Sequence, residues 1–471
     1  MKTLILVLYV ACMLLIGYYS MRKTKSLSDF FLANRSLGPW VSAFAYGTTY
    51  FSAVLFIGYA GRIGWNFGLS SLWIVVGNTL IGSLLAWLLL AKKTRQVTEK
   101  LNVMTMPEFL GARYGDPYLK AFSAILVFVF LIPYSASVYM GLSYLFDVVM
   151  GIPYVLALLL IAVLTGVYLV MGGYFAVALT DLVQGSIMFF GAIFMVFYLL
   201  AHPQVGGLSG AISNLRAINP SLVNVIDPPG FWPLFGLVVL TSLGPWGLPQ
   251  MVQKFYSLKS ERIAFAATVV STIFALVCAF SAYFSGSLTR LFFTELPQMG
   301  GVPNADLLMP NLIVKVMPQA FTLIFLLLVF SASMSTLSSL VLVSSSAVVV
   351  DLFPQSWRRN SLFWMRFLCG LFVFLSLLIA FKRSTFIVNL MSISWGATAG
   401  SFLAPYVYGL YWKRGTRQAA WTSMLSGLVI AVGFSWYFGF RSQLVPLVGS
   451  LAMLVPLGIF PVVSLFSGGE R

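Results

Sequence analysis

The sequence predicts an all-α integral membrane protein of about thirteen spans, from its composition, the length of its apolar runs and the charge between them. Of 471 residues, 60% are hydrophobic and only 8% charged, and the mean hydropathy is +0.94, far from the balance of a soluble domain. A helix crossing about 30 Å of hydrocarbon needs about 20 residues. Runs of that length lie near 2–21, 38–61, 69–91, 118–147, 152–172, 176–201, 231–252, 262–290, 317–349, 361–381, 385–411, 418–438 and 443–466. The first begins like a signal peptide, but its apolar run is too long and its positive flank follows it, so it is expected to remain as a helix.

The net charge of +16 raises nucleic-acid binding, yet the basic residues sit in short clusters between apolar runs, where they act as topology signals. Arg22, Lys23, Lys25 and Arg35 fall in the first loop, Lys92, Lys93, Arg95, Lys100 and Arg113 in the third, and Lys254, Lys259 and Arg262 in the seventh. Arg358 and Arg359, then Lys413, Arg414 and Arg417, continue the alternation, whereas the opposite loops carry fewer, such as Arg216, Arg290, Lys315, Lys382 and Arg441. The expected orientation is therefore N-terminus outside and C-terminus cytoplasmic, in a cell inner membrane or plasma membrane. The connections near 202–230 and 291–316 are too short for a soluble domain, so residues 1–471 read as one transmembrane domain. Cys12, Cys278 and Cys369 lie within apolar stretches without disulfide or metal-ligand spacing.

Two spans contain helix-breaking chemistry. Span 2 carries Gly47 in AYGTTYFSA, and span 7 reads LTSLGPWGLPQM, with Gly244, Pro245, Gly247 and Pro249 close together. Proline removes a backbone donor and glycine tolerates unwound geometry. Non-helical backbone at membrane depth persists only where it is buried or lines a wet cavity, and its freed carbonyls suit a small hard cation. The breaks are five spans apart. That spacing predicts inverted repeats of five helices over approximately 38–201 and 231–411, with helices 2–21, 418–438 and 443–466 outside them.

Two further features point to a cation. Asp181 is expected well inside an apolar run, where a carboxylate costs roughly 3 kcal/mol unless compensated; the alternative is a carboxylate near the membrane surface capping helix amides. In span 9, VFSASMSTLSSLVLVSSSAVVVDLF, Ala332, Ser335, Thr336 and Ser339 fall on one helical stripe with Ser338 beside it. Such a stripe serves close helix packing, or it supplies the neutral oxygens that Na⁺ requires.

At these residues the chain resembles the sodium:solute symporter family, over nearly its whole length. The segments that carry the resemblance are SDFFLANRSLGPW, MGGYFAVALTDLVQG, SMSTLSS with the following SSSAVVVDLF, and YGLYWKRGTRQAA. The resemblance implies a leucine-transporter-type 5+5 inverted-repeat fold with about thirteen helices. It implies a sodium site from the carbonyls of Thr48, Phe51 and Ala332 and the hydroxyls of Ser335 and Thr336. It also implies a candidate second sodium site at Asp181, Ser335, Ser338 and Ser339, as in members that include sialic-acid transporters. Proline transporters of the family have an aspartate where this chain has Tyr50. TTYFSA, GLPQ and GGLSGAISNLRAINPSLV are most similar to the pantothenate branch, so Tyr50, Ser52, Trp246 and Gln250 are candidate solute contacts, although Tyr50 and Trp246 are equally readable as packing residues. Arg62 is a candidate attractor for a solute carboxylate.

The expected function is thus Na⁺-coupled import of a small organic solute, a small carboxylate of pantothenate type ahead of proline or another amino acid, a sugar or a sialic acid. One or two Na⁺ ions are expected and no organic cofactor; the partners are the solute and membrane lipids, without nucleic acid or an obligate protein. A membrane enzyme needs clustered nucleophile or metal chemistry at depth, and the single histidine, His202, falls at a span end. A channel needs a continuous polar lining and a transport-related sensor an added signalling domain; neither is visible in the sequence.

Overall fold

The computed structural model describes residues 2–21, 32–226, 230–354, 361–383 and 385–468. The basic residues Arg22, Lys23, Lys25, Arg358 and Arg359, which bear on the expected topology, lie outside them. The principal helices are α1 (Lys2–Met21), α2 (Pro39–Tyr50), α3 (Ala60–Phe67), α4 (Pro117–Met150), α5 (Tyr154–Ala201), α6 (Phe231–Gly247), α7 (Pro249–Tyr256), α8 (Ala264–Ser287), α9 (Gln319–Asp351), α10 (Ser361–Lys382), α11 (Ile387–Tyr411), α12 (Arg417–Val429) and α13 (Val445–Phe466). A further helical run with π-helical stretches covers 72–100, and a two-stranded hairpin pairs Gln298–Met299 with Val302–Pro303.

Among the described residues nine helices are long and apolar enough to cross a membrane, or ten when α6 and α7 count as one bent span. This does not confirm the expected thirteen. Residues 54–100 form one nearly continuous helical run, and the apolar parts of α1 and of the first half of α5, Leu6–Tyr19 and Tyr154–Val167, are short. Expected spans 152–172 and 176–201 both belong to α5, which is helical throughout.

Local chemistry sets the helix ends. Asp116 precedes Pro117 and caps α4 by accepting from the Tyr118 amide at 2.9 Å, a pairing of N-cap and N1 proline that satisfies orphan amides. Gly151 closes the same helix in the left-handed region at φ 68°. The Asp116 carboxylate also receives Trp421 Nε1 at 2.7 Å and pairs with Arg417 Nε at 2.6 Å, which fastens the start of α12 to the start of α4.

The centre is built on α9 and α11, whose most apolar windows are 78% and 94% buried. α9 packs against α5, α4 and α2, and α11 against α13, α4 and α6. Small residues allow the close approach: a Cβ on Gly396 would stand 2.8 Å from the Gly449 Cα of α13. Helices buried on every side have no polar face, so hydropathy periodicity is silent about their neighbours.

Both expected breaks exist, with revised positions. In span 2 the Phe51 amide closes α2 onto Gly47 O at 3.0 Å, and Phe51 then turns extended at φ −108°, ψ 108°. In span 7, α6 runs through Gly244 and Pro245, and the chain bends by 45° at Leu248, between Gly247 and Pro249. Gly47 and Gly244 are therefore helical. Their lack of a side chain serves contact instead: a Cβ would lie 2.3 Å from the Phe274 ring at Gly47 and 2.4 Å from the Trp395 ring at Gly244. The two broken spans meet where the Leu37 amide donates to Ser257 O at 3.3 Å and the Lys259 amide to Leu37 O at 3.1 Å.

Candidate functional site

The break in span 2 faces the hydroxyl stripe of span 9. Thr336 Oγ1 donates to Thr48 O at 3.2 Å and lies 3.5 Å from Thr49 O, while Ser335 Oγ donates to Thr48 Oγ1 at 2.8 Å. Leu55 donates to Ser52 O, one residue beyond Phe51 O, so the Phe51 carbonyl stands outside the helical ladder. Thr48, Phe51, Ala332, Ser335 and Thr336 are each at most 1% exposed. The buried carbonyls of Thr48 and Phe51 at the helix break, set against neutral hydroxyls with no amine among them, form a donor set for a hard monovalent cation, whereas Ala332 lies within the unbroken helix α9. The residues present fit Na⁺.

Asp181, Ser335, Ser338 and Ser339 are all fully or almost fully buried; Ser335 stands beside Asp181 as expected, but a lysine joins them. Asp181 sits in the middle of α5 and caps no helix end. Its Oδ2 lies 3.7 Å from Nζ of Lys254, a lysine near the end of α7 that is itself fully buried. Lys254 Nζ donates to Ser339 Oγ at 3.0 Å, and Ser339 shares a 3.1 Å hydrogen bond with Thr49 Oγ1. Ser338 turns its hydroxyl back to Met334 O at 2.6 Å. Lys254 belongs to a buried helix and not to the seventh loop, where its charge suggests it from the sequence. The available signal was its position only five residues after Pro249 in GLPQMVQK, about 7.5 Å of helix beyond the break.

Of the candidate solute contacts, Tyr50 and Ser52 line a small cavity with Asn78, Thr241, Tyr283 and Trp395, between the broken spans and α11. Tyr50 OH donates to Thr241 O at 2.6 Å, joining span 2 to span 7, and Ser52 Oγ accepts from the Val54 amide at 3.1 Å. The cavity holds about 20 Å³, room for roughly one water, and the Tyr50 and Trp395 rings stack at its edge with centres 6.4 Å apart. Trp246 is outside this lining and donates to Ile81 O at 2.9 Å. Gln250 is 1% exposed, and among the described residues neither amide atom has a hydrogen-bond partner. Arg62 lays its guanidinium 3.9 Å over the Phe386 ring. Asn78, Thr241, Tyr283 and Trp395 were not anticipated, because single polar or aromatic residues in apolar runs carry no local mark of what they face.

The two broken spans thus share a small cavity, and a hydroxyl-bearing helix packs across one of the breaks. Residues 30–427 match the sodium:solute symporter family, and the chain belongs to that family. It is 31% identical to the sodium/pantothenate symporter of Escherichia coli over 473 residues, 95% of this chain and 93% of the relative. It is 30% identical to the high-affinity proline transporter PutP of Bacillus subtilis over 431 residues, 89% of each chain. The fold is similar to that of a Na⁺-coupled sialic acid symporter in a substrate-bound, outward-open state, with a TM-score of 0.74 at 18% identity over 99% of this chain and 97% of the other. A closed, ligand-bound nucleobase-cation-symport-1 family transporter, MHP1, aligns with a TM-score of 0.54 at 14% identity, over 94% of this chain and 96% of the other.

Proposed function

We propose that this chain is a Na⁺-coupled symporter that imports a small carboxylate of pantothenate type by alternating access. The observation that carries the reading is the opposition of Ser335 and Thr336 to the opened backbone at Thr48. An ion ligated there by Thr48, Phe51, Ala332, Ser335 and Thr336 joins α2 to α9. Only a ligand with different affinity for the two states shifts their balance, so Na⁺ across this seam favours the state in which the cavity is open for solute. Solute binding against both breaks then permits closure and release on the other side. The repeats that rock are taken as approximately 38–201 and 231–411, with the N-terminus outside.

Proline is the runner-up, favoured by the identity to the Bacillus subtilis transporter. Against it stands Tyr50, an aromatic phenol hydrogen-bonded to Thr241 O where proline transporters have an aspartate. Purified protein in proteoliposomes decides between them: uptake of labelled pantothenate and proline is measured under an inward Na⁺ gradient, with choline or a proton gradient as comparison. Uptake of pantothenate that requires Na⁺ is expected. Transport driven equally well in choline by protons would sink the sodium reading, and preferential uptake of proline the solute reading.

Gln250 offers a further check, because a buried amide without partners is costly unless a ligand completes it. Gln250→Leu is expected to keep or slightly raise thermal stability while weakening solute affinity by about tenfold, the order of a lost polar contact. A variant that loses stability and keeps affinity assigns Gln250 to the fold alone.

A further inference from the structure

We propose that the ammonium of Lys254 is a tethered cation occupying the place beside Asp181 and Ser339 that a second sodium would take, so that the chain couples a single Na⁺. The inference rests on the reading of the chain as a sodium symporter and deepens it by setting the number of ions.

Lys254 and Asp181 are both 0% exposed, and buried charges persist when they compensate one another. Among the described residues each has the other as its ion-pair partner, at 3.7 Å. The ammonium is further held by Ser339 Oγ at 3.0 Å and by the face of Tyr174, whose ring centre is 4.9 Å away. Tyr174 is fixed in turn by a 3.2 Å hydrogen bond to Ser257 Oγ. The charge thus touches two residues, Asp181 and Ser339, of the set that would ligate a second ion.

A sodium bound by Asp181, Ser338 and Ser339 would stand within a few ångströms of this ammonium, with one carboxylate to neutralise two positive charges at low dielectric. Like charges so placed repel strongly. Ser339 also donates or accepts toward Thr49, next to Thr48 in the span-2 seam. Two hydrogen bonds therefore lead from the tethered cation through Ser339 to Thr49, the chain neighbour of Thr48. Unlike an ion, the ammonium does not leave with the solute.

The experiment is a Na⁺ titration, at constant ionic strength with choline, of purified wild type, Lys254→Met, Asp181→Asn/Lys254→Met and Asp181→Asn, followed by intrinsic fluorescence. Wild type is expected to titrate with a Hill coefficient near one. Lys254→Met vacates the place beside Asp181 and is expected to gain a second Na⁺, raising the coefficient toward two, and the double variant is expected to return to one. A wild-type coefficient near two overturns the proposal, as does a folded Lys254→Met that still titrates as one ion. Should Lys254→Met fail to fold with Asp181 unpaired, the neutral double variant decides: one retained Na⁺ supports the proposal, and loss of all Na⁺ binding assigns Asp181 to the wild-type ion and overturns it. If wild type binds no Na⁺ at all, the symport reading falls by itself. The role of Lys254 is then supported by an Asp181-dependent Na⁺ site gained in Lys254→Met and overturned by its absence.

Discussion

Replacing Ser335 or Thr336 with alanine is expected to raise the Na⁺ concentration for half-maximal uptake tenfold or more. Each change would remove one of roughly five oxygen ligands of the proposed, buried site, a loss of about 1–3 kcal/mol, and 1.4 kcal/mol is already a factor of ten. The hydroxyls also hold α9 to the Thr48 backbone at 2.8 and 3.2 Å, so a merely structural role must be separated from ligation. Thermal stability in choline does that. A structural role lowers it, whereas a ligand role leaves it near wild type and abolishes the extra stabilisation that added Na⁺ gives by mass action. Unchanged Na⁺ dependence of uptake in both variants would move the sodium site elsewhere.

The other large effect is expected from Gly244→Val and Gly47→Val. A Cβ at Gly244 falls 2.4 Å from Trp395, and Trp395 lines the cavity proposed for the solute; a Cβ at Gly47 falls 2.3 Å from Phe274. Phe274 packs in turn on Phe51, at 6.5 Å between ring centres. Overpacking of this kind costs about 1–3 kcal/mol even when the core adjusts. In a cavity of about 20 Å³ the adjustment comes at the solute's expense. Solute uptake is expected to fall by more than tenfold in each variant, while the protein still inserts and purifies. Wild-type uptake by Gly244→Val would mean that Trp395 swings clear without touching the solute path.

Much of the site was legible before any coordinates. TTYFSA and LTSLGPWGLPQM marked the two breaks, because proline and glycine act on the backbone where they stand. The error was in which residue does what: Gly47 and Gly244 read as sites of unwinding, but unwinding falls at Phe51 and Leu248. Both glycines answer to rings on other helices, which no local rule reveals. Trp246 beside the break reads from the sequence as a solute contact or a packing residue, and its indole N–H donates to Ile81 O, a partner that no local rule reveals.

The membrane class, the helical architecture and the hydroxyl stripe of span 9 follow from the sequence by itself, since hydropathy, helical spacing and helix-breaking residues are properties of neighbours along the chain. Fold family was legible for the same reason, in contiguous segments such as SMSTLSS. The partner of Asp181 was decided only in three dimensions. A buried carboxylate announces that some cation compensates it, but Na⁺ and an ammonium satisfy that demand equally well in a linear reading. The bend at Leu248 carries α7 back against α9 and brings Lys254 Nζ within 3.7 Å of Asp181. Charge compensation depends on distance through space, and tertiary packing sets that distance.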